Sequence, residues 1–357
     1  MIRVGLIGCG YIAEKHLKSL ASIKELQLRA ISDVKREKME KGIHRYQALN
    51  GSTKRIAQYT NYEDMLVDDS IDVVIICVIS SMHATIAKQA LKYNKHVIIE
   101  KPLALSIKEA EVIIELAKEK KKQVLVCHQL RYLPLIEKLK QVIEKGYLGE
   151  LYLGVASLRL NRSTDYYSSS SWKGTWEKDG GMLVNQGIHL IDLLLWMMGD
   201  IDSAYGEIST KINNKETEDI ALGILTFENG AKGLIEANTI TKPNNQGYFL
   251  SIFGKKGSIC IGGKGFNDIK HCYIENHPEI VSELKQLSKT TNEHEHMYEN
   301  FINAYFNREK IKASAEASKK ALEAIFGIYL SHLTHRCVTF PIENFSTTTM
   351  INQREED

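Results

Sequence analysis

The sequence predicts an α/β protein: a doubly wound parallel sheet, then an α+β domain with a large, mostly antiparallel, open-faced sheet. Three observations carry this prediction. Over residues 1–128 short apolar runs alternate with helical patterns, the grammar of βαβ units. The first of those runs enters a glycine-rich turn, Gly8-Cys9-Gly10. After about residue 129 long strand-like segments follow one another, two of them joined by Glu228-Asn229-Gly230, a strong hairpin signal. A chain of 357 residues has the length of two domains. They are placed at 1–128 and 129–345, with a polar tail over 346–357.

Each element follows from local pattern. Residues 3–7 read as the first strand and 14–22 as the helix after it. Residues 28–32 form a second strand, ahead of a charged stretch over 35–48. A short strand at 56–59 and a short helix at 61–66 come next. The run DVVIICV at 72–78 is the strongest strand, because near-continuous Val and Ile mark a parallel strand buried on both faces. A helix over 83–93, a strand over 96–99, a helix over 106–121 and a strand over 124–127 complete the first domain. In the second, a helix over 133–145 stops at Gly146 and a strand covers 151–159. A polar, aromatic stretch over 161–176 leads to a helix over 187–198 that ends at Gly199. Strand-like segments at 203–212, 219–227, 231–239 and 248–261 supply the second sheet. Helices at 296–306 and 314–332 and a short strand at 337–340 close the fold. The tail from Ser346 is expected to be disordered.

Composition narrows the function. With 43% hydrophobic and 25% charged residues and a net charge of +2, no overall basic field favours nucleic acid or an anionic membrane. The densest basic run, KEKKK at 118–122, ends a helix, where cations suit the negative end of the dipole and stay solvated. The N-terminal apolar run is too short for a signal peptide or a membrane span. Six cysteines at 9, 77, 127, 260, 272 and 337 form no CxxC pair. Cys9, Cys77 and Cys127 lie in or beside strand-like runs, as small buried thiols do. With no disulfide framework, a cytoplasmic location is expected. His294-Glu295-His296 does not make a metal site: residues two apart on a helix point apart, and no third ligand accompanies them. Tyr298, Phe301, Tyr305 and Phe306 form an aromatic stripe at helical spacing, which suits a core.

Gly8-Cys9-Gly10-Tyr11-Ile12-Ala13 fits G-x-G-x-x-A between a strand and a helix. Gly8 permits the tight turn, Gly10 lets the backbone approach a diphosphate, and Ala13 allows close helix–sheet packing. The helix N-terminus presents N–H groups and a positive dipole end to phosphates. Asp33 ends the second strand, where an acid hydrogen-bonds the adenine ribose and repels a 2′-phosphate. The expected cofactor is therefore NAD, with Arg36 three residues on softening that preference. Glu100-Lys101-Pro102 follows a parallel strand, beyond whose carboxyl end ligands bind. A lysine there has its pKa lowered by a cationic nicotinamide and partial burial, which suits proton transfer.

A second constellation runs Trp172-Lys173-Gly174-Thr175-Trp176, Asp179-Gly180-Gly181 and Asn185-Gln186-Gly187-Ile188-His189. Asn185 and His189 share a helix face. His189 stands at a helix start, where the dipole favours the neutral ring. Alone, a loop lysine reads as a surface residue and a helical histidine as a packed polar one. Their setting singles them out.

These motifs resemble the Gfo/Idh/MocA oxidoreductases along nearly the whole chain. The carriers are GCGYIA with His16, VVIICV leading to His83, HVIIEKPLA at 96–104, and GG-x-x-x-N-x-x-x-H ending at His189. The resemblance implies a Rossmann domain followed by an α/β domain whose open sheet forms a homo-oligomer, a dimer or tetramer. It implies NAD contacts from Gly8, Gly10, Tyr11, Ile12, Asp33, Ser80, His83, Glu100, Lys101 and Gln129. It makes Lys101 and His189 catalytic. Many members carry Asp where this chain has Asn185, so Lys101 is expected to carry more of the proton transfer. The block from Trp172 to His189 is similar to the UDP-N-acetylglucosaminuronic acid 3-dehydrogenases of surface-polysaccharide synthesis. That likeness puts Arg131, Arg159, Tyr166, Trp172, Lys173, Asn185, Gln186 and His189 on the substrate, with Arg162 and Tyr167 in the same stretch. Each cation is alternatively a solvated surface group. An inositol or free-sugar dehydrogenase remains open as a second reading, and a non-catalytic NAD or sugar sensor as a third.

Overall fold

Near-continuous apolar strands and half-apolar helices assemble as the alternation requires. The computed structural model describes residues 1–211, 215–263 and 265–351. The N-terminal chain runs β1 (Ile2–Ile7), α1 (Ala13–Ser22), β2 (Leu26–Ser32), α2 (Arg36–Asn50), β3 (Ala57–Tyr59), α3 (Tyr62–Leu66), β4 (Val73–Ile76), α4 (Ser80–Lys92), β5 (His96–Ile99), α5 (Ile107–Lys120) and β6 (Val124–Val126). The six strands form a parallel sheet in the order β3-β2-β1-β4-β5-β6. β4 is buried throughout. The strand order reverses between β1 and β4, and that reversal opens the crevice where such sheets take ligands. The charged stretch after β2 is the helix α2. It buries only Met39, Gly42 and Tyr46, too few apolar positions to announce a helix by pattern.

The later chain continues with α6 (Pro134–Glu144), β7 (Leu151–Arg159), α7 (Thr164–Ser168), a π-helical turn at Leu183–Gly187, and α8 (Ile188–Met198). Then come β8 (Ile201–Ser209), β9 (Ile220–Phe227), β10 (Lys232–Asn238), β11 (Gly247–Gly254), β12 (Gly257–Gly263), β13 (Asp268–Ile274), α9 (Pro278–Leu287), α10 (Glu293–Tyr305), α11 (Ala315–Thr334) and β14 (Val338–Thr339). The second sheet has eight strands in the order β13-β12-β11-β7-β10-β9-β8-β14. Its pairings are antiparallel except for β7 with β10.

One face of this sheet is covered. A Cβ at Gly154 would strike Leu194 of α8 at 2.5 Å, and one at Gly223 would strike Ile328 of α11 at 2.7 Å. The glycines let those helices seat on the strands. The other face leaves Tyr205, Leu222, Ile224, Leu234, Phe253 and Tyr273 exposed. Register sets Tyr205 beside Ile224, Ile224 beside Leu234, and Leu234 beside Val155 in one row.

The structure corrects several expectations. Residues 248–261 are not one strand but the hairpin of β11 and β12, turning at Lys255-Lys256. β13 and α9 were not anticipated. β13 is an exposed edge strand, and α9 buries only Ile280 and Leu284, so neither shows a clean period. The strand expected over 203–212 stops at Ser209, and residue 212 lies outside the described residues. The tail is ordered as far as it is described: Thr347 is buried and donates through Oγ1 to the Trp176 carbonyl at 2.7 Å and through its N–H to the Leu105 carbonyl at 3.0 Å.

The chain packs as two units. The first comprises Met1–Ala104, Glu109–Gln129 and Asn292–Glu316. The second holds Leu105–Lys108, Leu130–Thr291 and the chain from Ala317. Thus α10, which lies within the expected span 129–345, packs inside the first unit. Its Tyr298 hydroxyl sits 2.6 Å from His16 Nδ1, and the Val126 N–H of β6 donates to the Ala313 carbonyl.

Candidate active site

The turn after β1 needs its first glycine. Gly8 has φ +89°, and a Cβ there would lie 2.4 Å from the Cys77 carbonyl oxygen. At Gly10 a Cβ would meet no atom within 4 Å, so that side of the turn opens onto free space where a diphosphate can approach the backbone. These residues fit NAD. Tyr11 is exposed and Ile12 precedes the first residue of α1. The Asp33 carboxylate is fixed at the exit of β2 by the N–H groups of Cys9 (2.8 Å) and Lys35 (2.9 Å). Burial, with the Asp33 charge, pushes the Cys9 thiol up to about 12, so it is inert at neutral pH.

Further along the same sheet edge stand Ser80, the first residue of α4, Lys101 after β5, and Gln129 in the 3₁₀ turn after β6. Lys101 is half-buried and its peptide bond to Pro102 is cis. His83 and Glu100 are buried and turned towards protein. His83 lies between the carbonyl oxygens of Pro102 (2.6 Å, from Nδ1) and Val78 (3.0 Å, from Nε2), and burial lowers its pKa. Glu100 lies 2.9 Å from His16 Nε2. Burial pushes its carboxyl up, but the His16 hydrogen bond and the charges of His16 and Lys101 outweigh this and hold it at about 2. Both residues therefore brace the loop that carries Lys101.

His16, Glu100 and Cys127 bring ligand-type atoms within 4.8 Å of one another. Both ring nitrogens of His16 are already engaged, and burial raises the Cys127 thiol well above its usual range. That opposes the thiolate a metal needs; the trio is a hydrogen-bonded core cluster.

In the second unit His189 is the second residue of α8, directly after the π-helical turn. Insertions of this kind are frequent at functional sites. Asn185 lies within that turn, and its Nδ2 donates to Asp179 Oδ1. Asp179 is buried and also accepts the Gly174 N–H at 2.8 Å. The carboxylate that the sequence lacks at 185 thus stands one hydrogen bond behind it. Gly180 and Gly181 have φ of +85° and +101°.

The substrate candidates divide. Lys173 Nζ sits 4.2 Å over the Tyr166 ring, Arg162 packs 5.0 Å from the same ring, and Gln186 Nε2 reaches the Tyr166 hydroxyl at 3.4 Å. Trp172 is half-buried beside Lys173. The structure brings these together. Two other candidates have carboxylate partners. Arg131 is buried, makes a bidentate pair with Asp192 (2.7 Å twice) and lies over Trp196. Arg159 is paired with Glu236 at 2.7 Å and packs on Phe249. Each guanidinium is taken up by a carboxylate of its own sheet or helix neighbour.

Sequence reasoning missed the run Lys215-Glu216-Thr217-Glu218-Asp219. Its Lys215 and Asp219 form a fully buried pair at 2.6 Å, and Lys215 also donates to the Glu218 carbonyl at 2.7 Å and the Tyr167 hydroxyl at 3.2 Å. Glu216 accepts the Trp176 N–H at 3.0 Å. The available signal was a dense charge run entering an apolar strand.

A doubly wound sheet with this turn defines a dinucleotide-binding protein. Residues 2–128 match the model of an oxidoreductase family with an NAD-binding Rossmann fold, and residues 136–260 match the C-terminal domain of the same family. The chain belongs to the Gfo/Idh/MocA family. It is similar to the WlbA dehydrogenase of Chromobacterium violaceum, solved with NADH and UDP-GlcNAcA: 28% identity, 96% of each chain covered, TM-score 0.88. The WlbA dehydrogenase of Bordetella pertussis, solved with the same ligands, is 27% identical over 96% of this chain and 98% of that one, TM-score 0.88. A myo-inositol 2-dehydrogenase of Thermotoga maritima is 26% identical over 72% of this chain and 74% of its own length. Among the described residues no helix is long and apolar enough to cross a membrane.

Proposed function

We propose that this protein oxidises a sugar hydroxyl with NAD, at carbon 3 of a UDP-N-acetyl-hexosaminuronic acid, in surface-polysaccharide synthesis. The observation that carries this reading is the cationic and aromatic patch of Arg162, Tyr166, Trp172, Lys173 and Gln186, in the unit that holds His189. Paired cations over a tyrosine suit a carboxylate or diphosphate, not a neutral polyol. Likeness to two dehydrogenases solved with UDP-GlcNAcA supports the same substrate class.

NAD, when bound, supplies the acceptor for the hydride that leaves the carbon. The turn at Gly8 and Gly10 receives the diphosphate, Asp33 the adenine ribose, and Tyr11, Ile12, Ser80 and Gln129 line the same strand ends. Lys101 and His189 hold and move the hydroxyl proton. His16, Glu100 and His83 keep the Lys101 loop in place, and Asp179 acts on Asn185. The open sheet face, with its row of exposed apolar side chains, is read as the homo-oligomer interface. The free thiols accord with a reducing cytoplasm. The units are read as an NAD-binding part and a substrate-binding part.

Absorbance growth at the NADH band tests this directly, with UDP-GlcNAcA, myo-inositol and free sugars as substrates. The expected result is turnover of the sugar nucleotide alone, with Lys101→Ala retaining NAD affinity and losing turnover. Turnover of inositol instead would transfer the reading to a polyol dehydrogenase. No turnover of any would favour a sensor.

A further inference from the structure

Glu218 lies two residues before β9 and is fully buried. Its Oε1 accepts the Leu183 N–H at 2.8 Å and the Tyr329 hydroxyl at 2.6 Å. Its Oε2 meets no hydrogen-bond partner among the described residues. The chain at Gly181 is pressed against this carboxyl: a Cβ there would fall 2.6 Å from Oε2 and 2.4 Å from the Tyr329 oxygen. Leu183 opens the π-helical turn that runs into α8 and His189. The first N–H groups of a helix lack partners within it and need one when buried. Glu218 supplies that partner from a distant part of the chain.

We propose that Glu218 is a positioning residue: its carboxylate grips the π-helical turn in the conformation that presents Asn185, Gln186 and His189, and protonation of Glu218 loosens that grip. The inference rests on the reading of His189 as catalytic. Chemistry supports a hold that changes with protonation, because a hydrogen bond to an ionised acceptor is markedly stronger than one to a neutral acid. The groups that face the carboxyl are few. Tyr329 and the Leu183 N–H favour the ionised form, as does the charge of Lys215, which Asp219 largely matches. Asp179 acts on the neighbouring Tyr329. Against them, burial dominates and pushes Glu218 up to about 7. The carboxyl therefore changes charge near neutral pH.

Hydrogen exchange of the full-length protein, read by mass spectrometry on the peptide spanning residues 181–190, tests the grip without substrate. After correction for intrinsic rates, exchange in the wild type is expected to rise roughly fivefold between pH 8 and pH 6, the scale separating charge-assisted from neutral hydrogen bonds. Glu218→Gln keeps an acceptor but cannot ionise, and should show no step. Tyr329→Phe removes one donor to the carboxylate and should move the step to higher pH. With sugar nucleotide, kcat should fall on the acid side with the same midpoint while the KM for NAD stays constant. That limb should vanish in Glu218→Gln. Flat exchange in the wild type, or the same step in Glu218→Gln, overturns the proposal. Should the wild type turn over no sugar, the proposed function fails, and the exchange step still decides the role of Glu218.

Discussion

Replacing Asp192 by leucine should strip Arg131 of its buried counter-charge and lower the melting temperature substantially. Arg131 is 4% exposed and Asp192 1%, and two bonds of 2.7 Å join them. Burial so complete limits the water that can replace the lost carboxylate. Removing one partner of such a pair costs about 3–5 kcal/mol. For a unit of this size each kcal/mol moves the midpoint by roughly 2–4 °C, so the expected drop is about 6–20 °C. Arg131→Met/Asp192→Leu removes both charges and should recover most of it, because a well-packed apolar pair often matches a buried ion pair. Calorimetry of the wild type, both single variants and the double variant measures the cycle. The reasoning is refuted if Arg131→Met melts like the wild type yet loses affinity for the sugar nucleotide. Arg131 would then be a substrate cation after all.

Three further outcomes follow from the cofactor edge. Gly8→Ala should destabilise the turn and abolish NAD binding, whereas Gly10→Ala, whose Cβ meets nothing, should melt normally and weaken only NAD binding; calorimetric titration beside melting curves separates the two. Asp33→Ala should lower kcat/KM for NAD roughly 10–100-fold, the scale of lost hydrogen bonds to a charged group, and raise the relative rate with NADP; steady-state kinetics with both cofactors checks it. Glu100 has its pKa depressed to about 2 from an ordinary 4.5. Its contribution to stability is therefore complete above the ordinary value and lost as pH falls through the depressed one. Urea midpoints of the wild type should decline over that window, and those of Glu100→Gln should decline less.

Much of the first sheet was legible because its strands announce themselves. β4 and β5 are apolar runs, and the glycine turn between β1 and α1 has a fixed spacing whose physical reason survives any context. Lys101 was legible for the same reason, standing at the end of such a strand. The second unit was harder to read. β13 is an edge strand with one buried residue, so neither alternation nor continuous apolarity marks it. The π-helical turn is a local insertion without a periodic signature. Arg131 and Arg159 read as free cations because their partners, Asp192 and Glu236, lie far off in sequence. Glu218 was hidden in a charge run, which normally means solvent. Only tertiary packing shows that Lys215, Glu218 and Asp219 are interior.

The late return of α10 to the first unit bears on how the protein is made. When the ribosome has finished the six parallel strands, His16 still lacks Tyr298 and β6 lacks Ala313. A nascent chain at that stage holds both His16 and Glu100, but the Tyr298 hydroxyl that meets the other ring nitrogen of His16 arrives only after β13 has been synthesised. The nucleotide-binding part is thus an early framework with a late keystone, and a chain cut short before residue 293 exposes an apolar seam to the cell's quality control.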